Sequence, residues 1–149
     1  MVTSHVAVSL SEQYHGVWNN LRDALSRLDD EQFLASDIEW LIPRNLAYHV
    51  AETADFYSSD CESEDFSWGH FTVENKAQML AYIEQVEAKM KRWLMKHSDE
   101  DFFQPQTICQ WTGDTLLDRA IYALRHTQHH TAQINSELRR RGLPRGEWQ

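Results

Sequence analysis

Four stretches of this chain repeat their apolar residues at the three-and-four spacing of one helical face, and no stretch alternates convincingly as a strand does. That periodicity points to an all-α fold. The first stretch runs from about Leu10 to Leu28, with Tyr14, Val17, Trp18, Leu21, Leu25 and Leu28 on its apolar face and a capping box of Ser9 and Glu12 at its start. Pro43 opens the second, because a residue without an N–H leaves nothing unpaired in a first helical turn; this helix is expected to reach about Ser59. Thr72 is the expected N-cap of the third, whose stripe of Val73, Met79, Leu80, Ile83, Val86, Met90, Trp93 and Leu94 runs to about His97. Thr115, with Asp118 three residues on, caps the fourth, which continues to about Arg141 and is stopped by Gly142 and Pro144.

The connections read differently. Asp29 to Leu41 breaks the period, Ser98 to Gly113 contains Pro105 and sustains none, and Asp60 to Gly69 gathers Asp60, Glu62, Glu64 and Asp65 beside Ser and Gly as a solvated loop does. Residues 1–149 are expected to form a single domain. Four long amphipathic helices in one domain are most simply an antiparallel four-helix bundle, and the two longer connections permit a crossover. Trp18 and Trp93 fall on helix stripes and read as core, whereas Trp68 and Trp111 come from loops.

Charge and composition exclude several roles. With 14 Lys+Arg against 23 Asp+Glu the formal charge is −9, which opposes the phosphate contacts of sequence-independent nucleic-acid binding, so no nucleic-acid partner is expected. No apolar run approaches the roughly 20 residues that cross a bilayer, and the first ten residues lack a basic then apolar leader pattern. A cytoplasmic protein without a membrane partner is expected. Cys61 and Cys109, in unlike contexts and without CxxC spacing, read as free thiols with no visible feature that would activate either as a nucleophile. Arg139, Arg140 and Arg141 read as favourable charge at a helix C-terminus.

The chemistry lies in the eight histidines. His5, His15, His70, His97 and His129 occupy surface or loop positions by default. At about 100° per residue, His49 shares the face of Ile42, Leu46, Thr53, Phe56 and Tyr57, the stripe the second helix is expected to bury, where an imidazole needs a polar partner. On the last helix His126 and His130, four residues apart, project from adjacent turns of one face, with Gln133 and Glu137 towards its polar edge; His129 is rotated about 60° away. One histidine from the second helix and an i, i+4 pair from the fourth compose a three-histidine site between helices. Each part also has an ordinary reading: such pairs are common on exposed helices, and a core histidine is commonly bonded to a carbonyl. Three neutral imidazoles suit zinc, nickel, copper or iron and leave a position open for water or substrate, as a catalytic metal requires.

Two segments carry a resemblance. Leu124-Arg125-His126-Thr127-Gln128-His129-His130-Thr131-Ala132-Gln133-Ile134 is similar to the end of the last helix in the DinB/YfiT-like superfamily of metalloenzymes, and Pro43 to Glu52, ending Tyr48-His49-Val50-Ala51-Glu52, resembles its second-helix histidine segment. The likeness in length and helix order covers nearly the whole chain. It implies an up-down-down-up four-helix bundle, a metal triad of His49, His126 and His130, and a homodimer. The family usually reads HHRGQ where this chain has His129-His130-Thr131-Ala132-Gln133, a departure that leaves the ligand positions intact. Relatives in that superfamily include S-transferases dependent on low-molecular-weight thiols and a thiol-dependent isomerase.

Three functions follow as expectations. The first is an enzyme in which a divalent metal, zinc or nickel ahead of iron or manganese, activates a bound thiol or water against a small-molecule substrate; thiol transfer is preferred to hydrolysis. There Glu52, one turn beyond His49, is the candidate proton acceptor, and Gln133 the candidate partner that orients an imidazole. The second is a non-catalytic dimer binding a metal or small ligand, with tryptophans lining its cleft. The third is an interaction module using the acidic loop Asp60 to Asp65.

Overall fold

The computed structural model describes residues 4–61 and 66–149. It is all-helical, and no strand forms among the described residues, where a lone bridge joins Pro105 to Thr115. The described residues form six α-helices in order: α1 (His5–Ser26), α2 (Asp30–Leu34), α3 (Pro43–Tyr57), α4 (Lys76–Met95), α5 (Asp99–Phe102) and α6 (Leu116–Arg140), with single 3-10 turns at Glu39–Leu41 and Gln110–Thr112. Among the described residues no helix is long and apolar enough to cross a membrane.

Several helix starts depart from the local signals. Helix α1 begins at Ser4 rather than Ser9: Ser4 Oγ accepts from the Ala7 N–H at 3.0 Å, and Asp99, distant in the chain, accepts from the Val6 N–H at 2.9 Å and from Ser4 Oγ at 2.6 Å. First-turn donors are thus satisfied by a tertiary partner, and Ser9 and Glu12 lie inside the helix. Helix α4 is capped by Asn75, whose Oδ1 accepts from the Gln78 N–H at 2.9 Å, instead of Thr72; Val73 is buried outside the helix. The unperiodic stretch after α4 holds α5, with its own capping box of Ser98 and Asp101. Thr115 and Asp118 do cap α6, and Gly142, at φ +72°, follows its C-terminus.

The principal pairings are α3 with α6, α1 with α4, α1 with α6, and α3 with α4. Their shared core contains Trp18, Leu21, Leu25, Phe33, Met79, Ile83, Met90, Leu94 and Ile134, all essentially without solvent contact. Burying a side chain of this size contributes about 1.5–3 kcal/mol. Trp93 also lies in the core. Tyr14 donates its hydroxyl to the Ala120 carbonyl at 2.6 Å, which fastens α1 to α6.

Two expectations are corrected. Glu137 is fully buried rather than on a polar edge, bound by Arg140 at 2.7 Å, Arg141 at 2.6 Å and Ser36 at 2.7 Å. Arg141 also donates to the Gln32 and Ala35 carbonyls, so the basic run anchors the α2 region to the end of α6. Cys61 and Cys109 are not free: they pair as a disulfide with a Cα–Cα distance of 6.4 Å, within the span such a bridge requires. Residues 48 apart meet because the end of α3 and the start of α6 lie together, a proximity that local spacing does not encode.

Candidate metal centre

Helices α3 and α6 run antiparallel, since His49 faces His126 and His130 while Tyr57 lies against Tyr122, ring centroids 5.7 Å apart. The i, i+4 spacing on α6 stacks His126 and His130 on one face, and α3 brings His49 opposite them. His126 Nε2 is 3.1 Å from His49 Nε2 and 3.2 Å from His130 Nε2, and one ligand atom from each of the three lies within 4.8 Å of the others. Two nitrogens bound at about 2.0–2.1 Å to one tetrahedral ion stand roughly 3.3–3.4 Å apart. The two separations to His126 therefore match those of a ligand set, and the third pair lies within 4.8 Å.

The protons tell the same story. Gln133 Oε1 only accepts, so at 2.6 Å it fixes the proton of His130 on Nδ1 and leaves Nε2 with a bare lone pair. Burial, reinforced by the neighbouring imidazoles, pushes the His126 pKa down to about 4, and burial with His130 lowers that of His49. Imidazole nitrogens presenting lone pairs to a common point satisfy a cation. The residues fit a divalent ion.

Exposure differs from the expected stripe. Leu46, Thr53 and Tyr57 are buried, but His49 is exposed and His126 and His130 half-buried, so the cluster opens to solvent along the α3–α6 groove. His129 is exposed, 5.0 Å from the His130 ring, and outside the trio. Glu52 is turned to the next loop, where its carboxylate accepts the Gly69 N–H. Tyr48 donates to the Phe71 carbonyl at 2.9 Å and His70 Nε2 stands 3.3 Å from Asp55, so residues 66–75 are strapped along α3.

An aromatic wall extends from the histidines. Tyr122 lies nearly parallel to His126 at 6.4 Å; Tyr57 packs on Tyr122; Phe56 adjoins Trp68 at 5.0 Å and Phe66 at 5.6 Å; and Trp111 donates Nε1–H to the Tyr57 hydroxyl at 3.0 Å. Trp68 and Trp111 remain 59% and 62% exposed, an apolar surface beside an open polar site. Helical spacing marks Phe56, seven residues beyond His49 on the stripe expected to be buried, and Tyr122, four before His126, as wall residues.

Of the acidic loop, Glu62, Ser63, Glu64 and Asp65 lie outside the described residues; Asp60 is engaged by Trp93 Nε1 at 2.9 Å and Lys96 at 3.2 Å. No family model, curated protein or solved structure matches the chain.

Proposed function

We propose that the chain is a divalent-metal-dependent enzyme in which His49, His126 and His130 hold zinc or nickel, and that it transfers a low-molecular-weight thiol to a small electrophile. The observation that carries this reading is the convergence of three imidazoles on the open side of the α3–α6 groove, with His126 Nε2 at 3.1 Å from that of His49 and 3.2 Å from that of His130, and all three ligand atoms within 4.8 Å of one another. Such an ion, when bound, lowers the pKa of a thiol or water and supplies a nucleophile near neutral pH.

The chain's own residues do the rest. Gln133 holds the His130 ring in its ligating tautomer, the exposed edge of His49 leaves the approach open, and Trp68, Phe56 and Trp111 offer an apolar surface for the electrophile. Glu52, on the same helix as His49, is the proton acceptor in this reading once its bond to Gly69 opens.

The four long helices are read as a four-helix bundle. Tyr14 meets Ala120 while Ala24 and Asn135 both approach Gly146, and Tyr48 meets Tyr82 while Asp55 meets Lys89; these support the same direction for α1 and α6 and for α3 and α4, which with antiparallel α3 and α6 is an up-down-down-up order. That order and the histidine positions support membership of the DinB/YfiT-like superfamily, and with it a cytoplasmic homodimer.

The test is elemental analysis of untagged protein purified without a metal column or chelator, beside His49→Ala and His126→Ala. Near-stoichiometric zinc or nickel in the parent and its loss in both variants is the expected result. A metal-free parent that fails to take up added metal overturns the reading. Turnover that requires added thiol then separates S-transfer from hydrolysis.

A further inference from the structure

A second cluster lies at the junction of the α3 end and the α6 start. Arg119 is 4% exposed, and its Nη1 stands 3.8 Å from both Cys61 Sγ and Cys109 Sγ. Among the described residues its Nη2 reaches only a stretched contact with Asp60, at 3.4 Å, and its Nε has no hydrogen-bond partner, while its face lies over Trp93 at 5.1 Å. Burial works against its charge, with Asp60 opposing that effect. A guanidinium has five donors and no acceptor, and a buried one is ordinarily saturated by oxygen. Disulfide sulfurs are weak, neutral acceptors, so this cation is under-satisfied while the bridge is closed. A thiolate in the same place would complete it.

We propose that Cys61–Cys109 is a redox-active disulfide that exchanges with small thiols, with Arg119 as the built-in counter-ion of the Cys109 thiolate. Cys61 is half-buried and Cys109 4% exposed, so an incoming thiolate attacks the Cys61 sulfur. The new S–S bond forms to Cys61, the Cys61–Cys109 bond breaks, and its electron pair leaves on Cys109 beside Arg119. A second small thiolate attacks the sulfur of the small thiol in the mixed disulfide and releases Cys61 as a thiolate, which takes a proton from solvent. In sum two thiols are oxidised to one small disulfide, and the protein disulfide is reduced to a dithiol. A leaving thiol stabilised as its anion departs faster and makes the reduced state more favourable.

The bridge has a mechanical role as well. It ties the end of α3, whose Phe56 carries Trp68 and Phe66, to the turn that carries Trp111. Asp60, Cys61 and Cys109 all adopt left-handed backbone, at φ 53°, 61° and 54°, a conformation non-glycine residues adopt reluctantly and are released from when the bridge opens. The redox state thereby sets how firmly the two tryptophan-bearing segments are held together beside the histidines. None of this depends on a metal being bound.

The experiment equilibrates purified full-length protein in graded ratios of reduced to oxidised glutathione, traps free thiols by alkylation, and counts them by intact mass. The wild type is expected to close its disulfide in oxidised glutathione and to be half-reduced at a ratio at least about tenfold less reducing than Arg119→Gln requires. Asp60→Asn, which removes the competing carboxylate, shifts the midpoint the opposite way. Cys109→Ser takes up glutathione on Cys61. A dithiol that stays open at every ratio overturns the proposal, as do variants that titrate with the wild type. Circular dichroism checks folding, and Asp60→Asn carries the test if Arg119→Gln fails to fold.

Discussion

The Nδ1–H of His130 donates to Gln133 Oε1 at 2.6 Å, which points the free Nε2 of that ring at His126. Removing this partner lets the imidazole rotate and tautomerise. Gln133→Ala is expected to weaken zinc binding about 10- to 100-fold, measured by competition with a chromophoric chelator. Unchanged affinity would show that the ring is held by packing alone.

In the proposed function zinc or nickel is held by the folded triad and not by the unfolded chain, so added metal is expected to raise the thermal midpoint. At a free metal concentration of about 100 Kd the stabilisation is roughly 2.7 kcal/mol. His126→Ala, which removes the nitrogen that faces both others, is expected to abolish the rise. A rise of the same size in that variant would place the ion elsewhere.

Glu52 offers a clear distinction between chemistry and architecture. Its carboxylate holds the Gly69 N–H, so Glu52→Ala is expected to speed amide hydrogen exchange at Gly69 about tenfold or more, with metal content unchanged. Turnover is expected to fall in the same variant, because this carboxylate is the proposed proton acceptor; full turnover with fast exchange at Gly69 would leave Glu52 the loop contact alone.

The Glu137 carboxyl is held at about 2, below its ordinary 4.5, by the Arg140 hydrogen bond with Ser36 and Arg141 adding to it against burial. Because the folded value is depressed, this stabilisation is fully present above pH 4.5 and is lost as pH falls towards 2. Glu137→Gln is expected to cost about 2 kcal/mol at pH 7 in urea unfolding, and the difference from wild type narrows below pH 4.5. A pH-independent difference would mean that shape, not charge, holds the contact.

Gly113 adopts φ +132°, and a Cβ there would stand 2.4 Å from the Cβ of Asp118, the residue that closes the α6 capping box. Gly113→Ala is expected to destabilise by about 2 kcal/mol or more in thermal unfolding. Wild-type stability would mean that the turn before α6 has another conformation within reach.

How legible all this was depends on the range of the contact involved. The helical faces of α1, α4 and α6, and the Thr115–Asp118 cap, are written in residues within a few positions of one another, and they can be read directly. The convergence of His126 and His130 follows from helix pitch alone, and His49 joins them because its helix must pack somewhere. What could not be read is carried across the fold: Asp99 completing the first turn of α1, Glu137 drawn inward by Arg140 and Arg141, Cys61 meeting Cys109 over Arg119. Each joins segments that no local pattern relates. The exposure of His49 was misjudged for a different reason, since the wheel locates a face but not how deeply the neighbouring helix covers it.

The three histidines come from helices separated by the whole of α4 and α5 in the chain. On a ribosome the nascent chain presents His49 long before α6 has been made, and a single imidazole has little hold on an ion. Under the proposed function, full chelation therefore waits until the last helix has emerged and docked against α3, so that metal capture would report a finished fold rather than guide an early one.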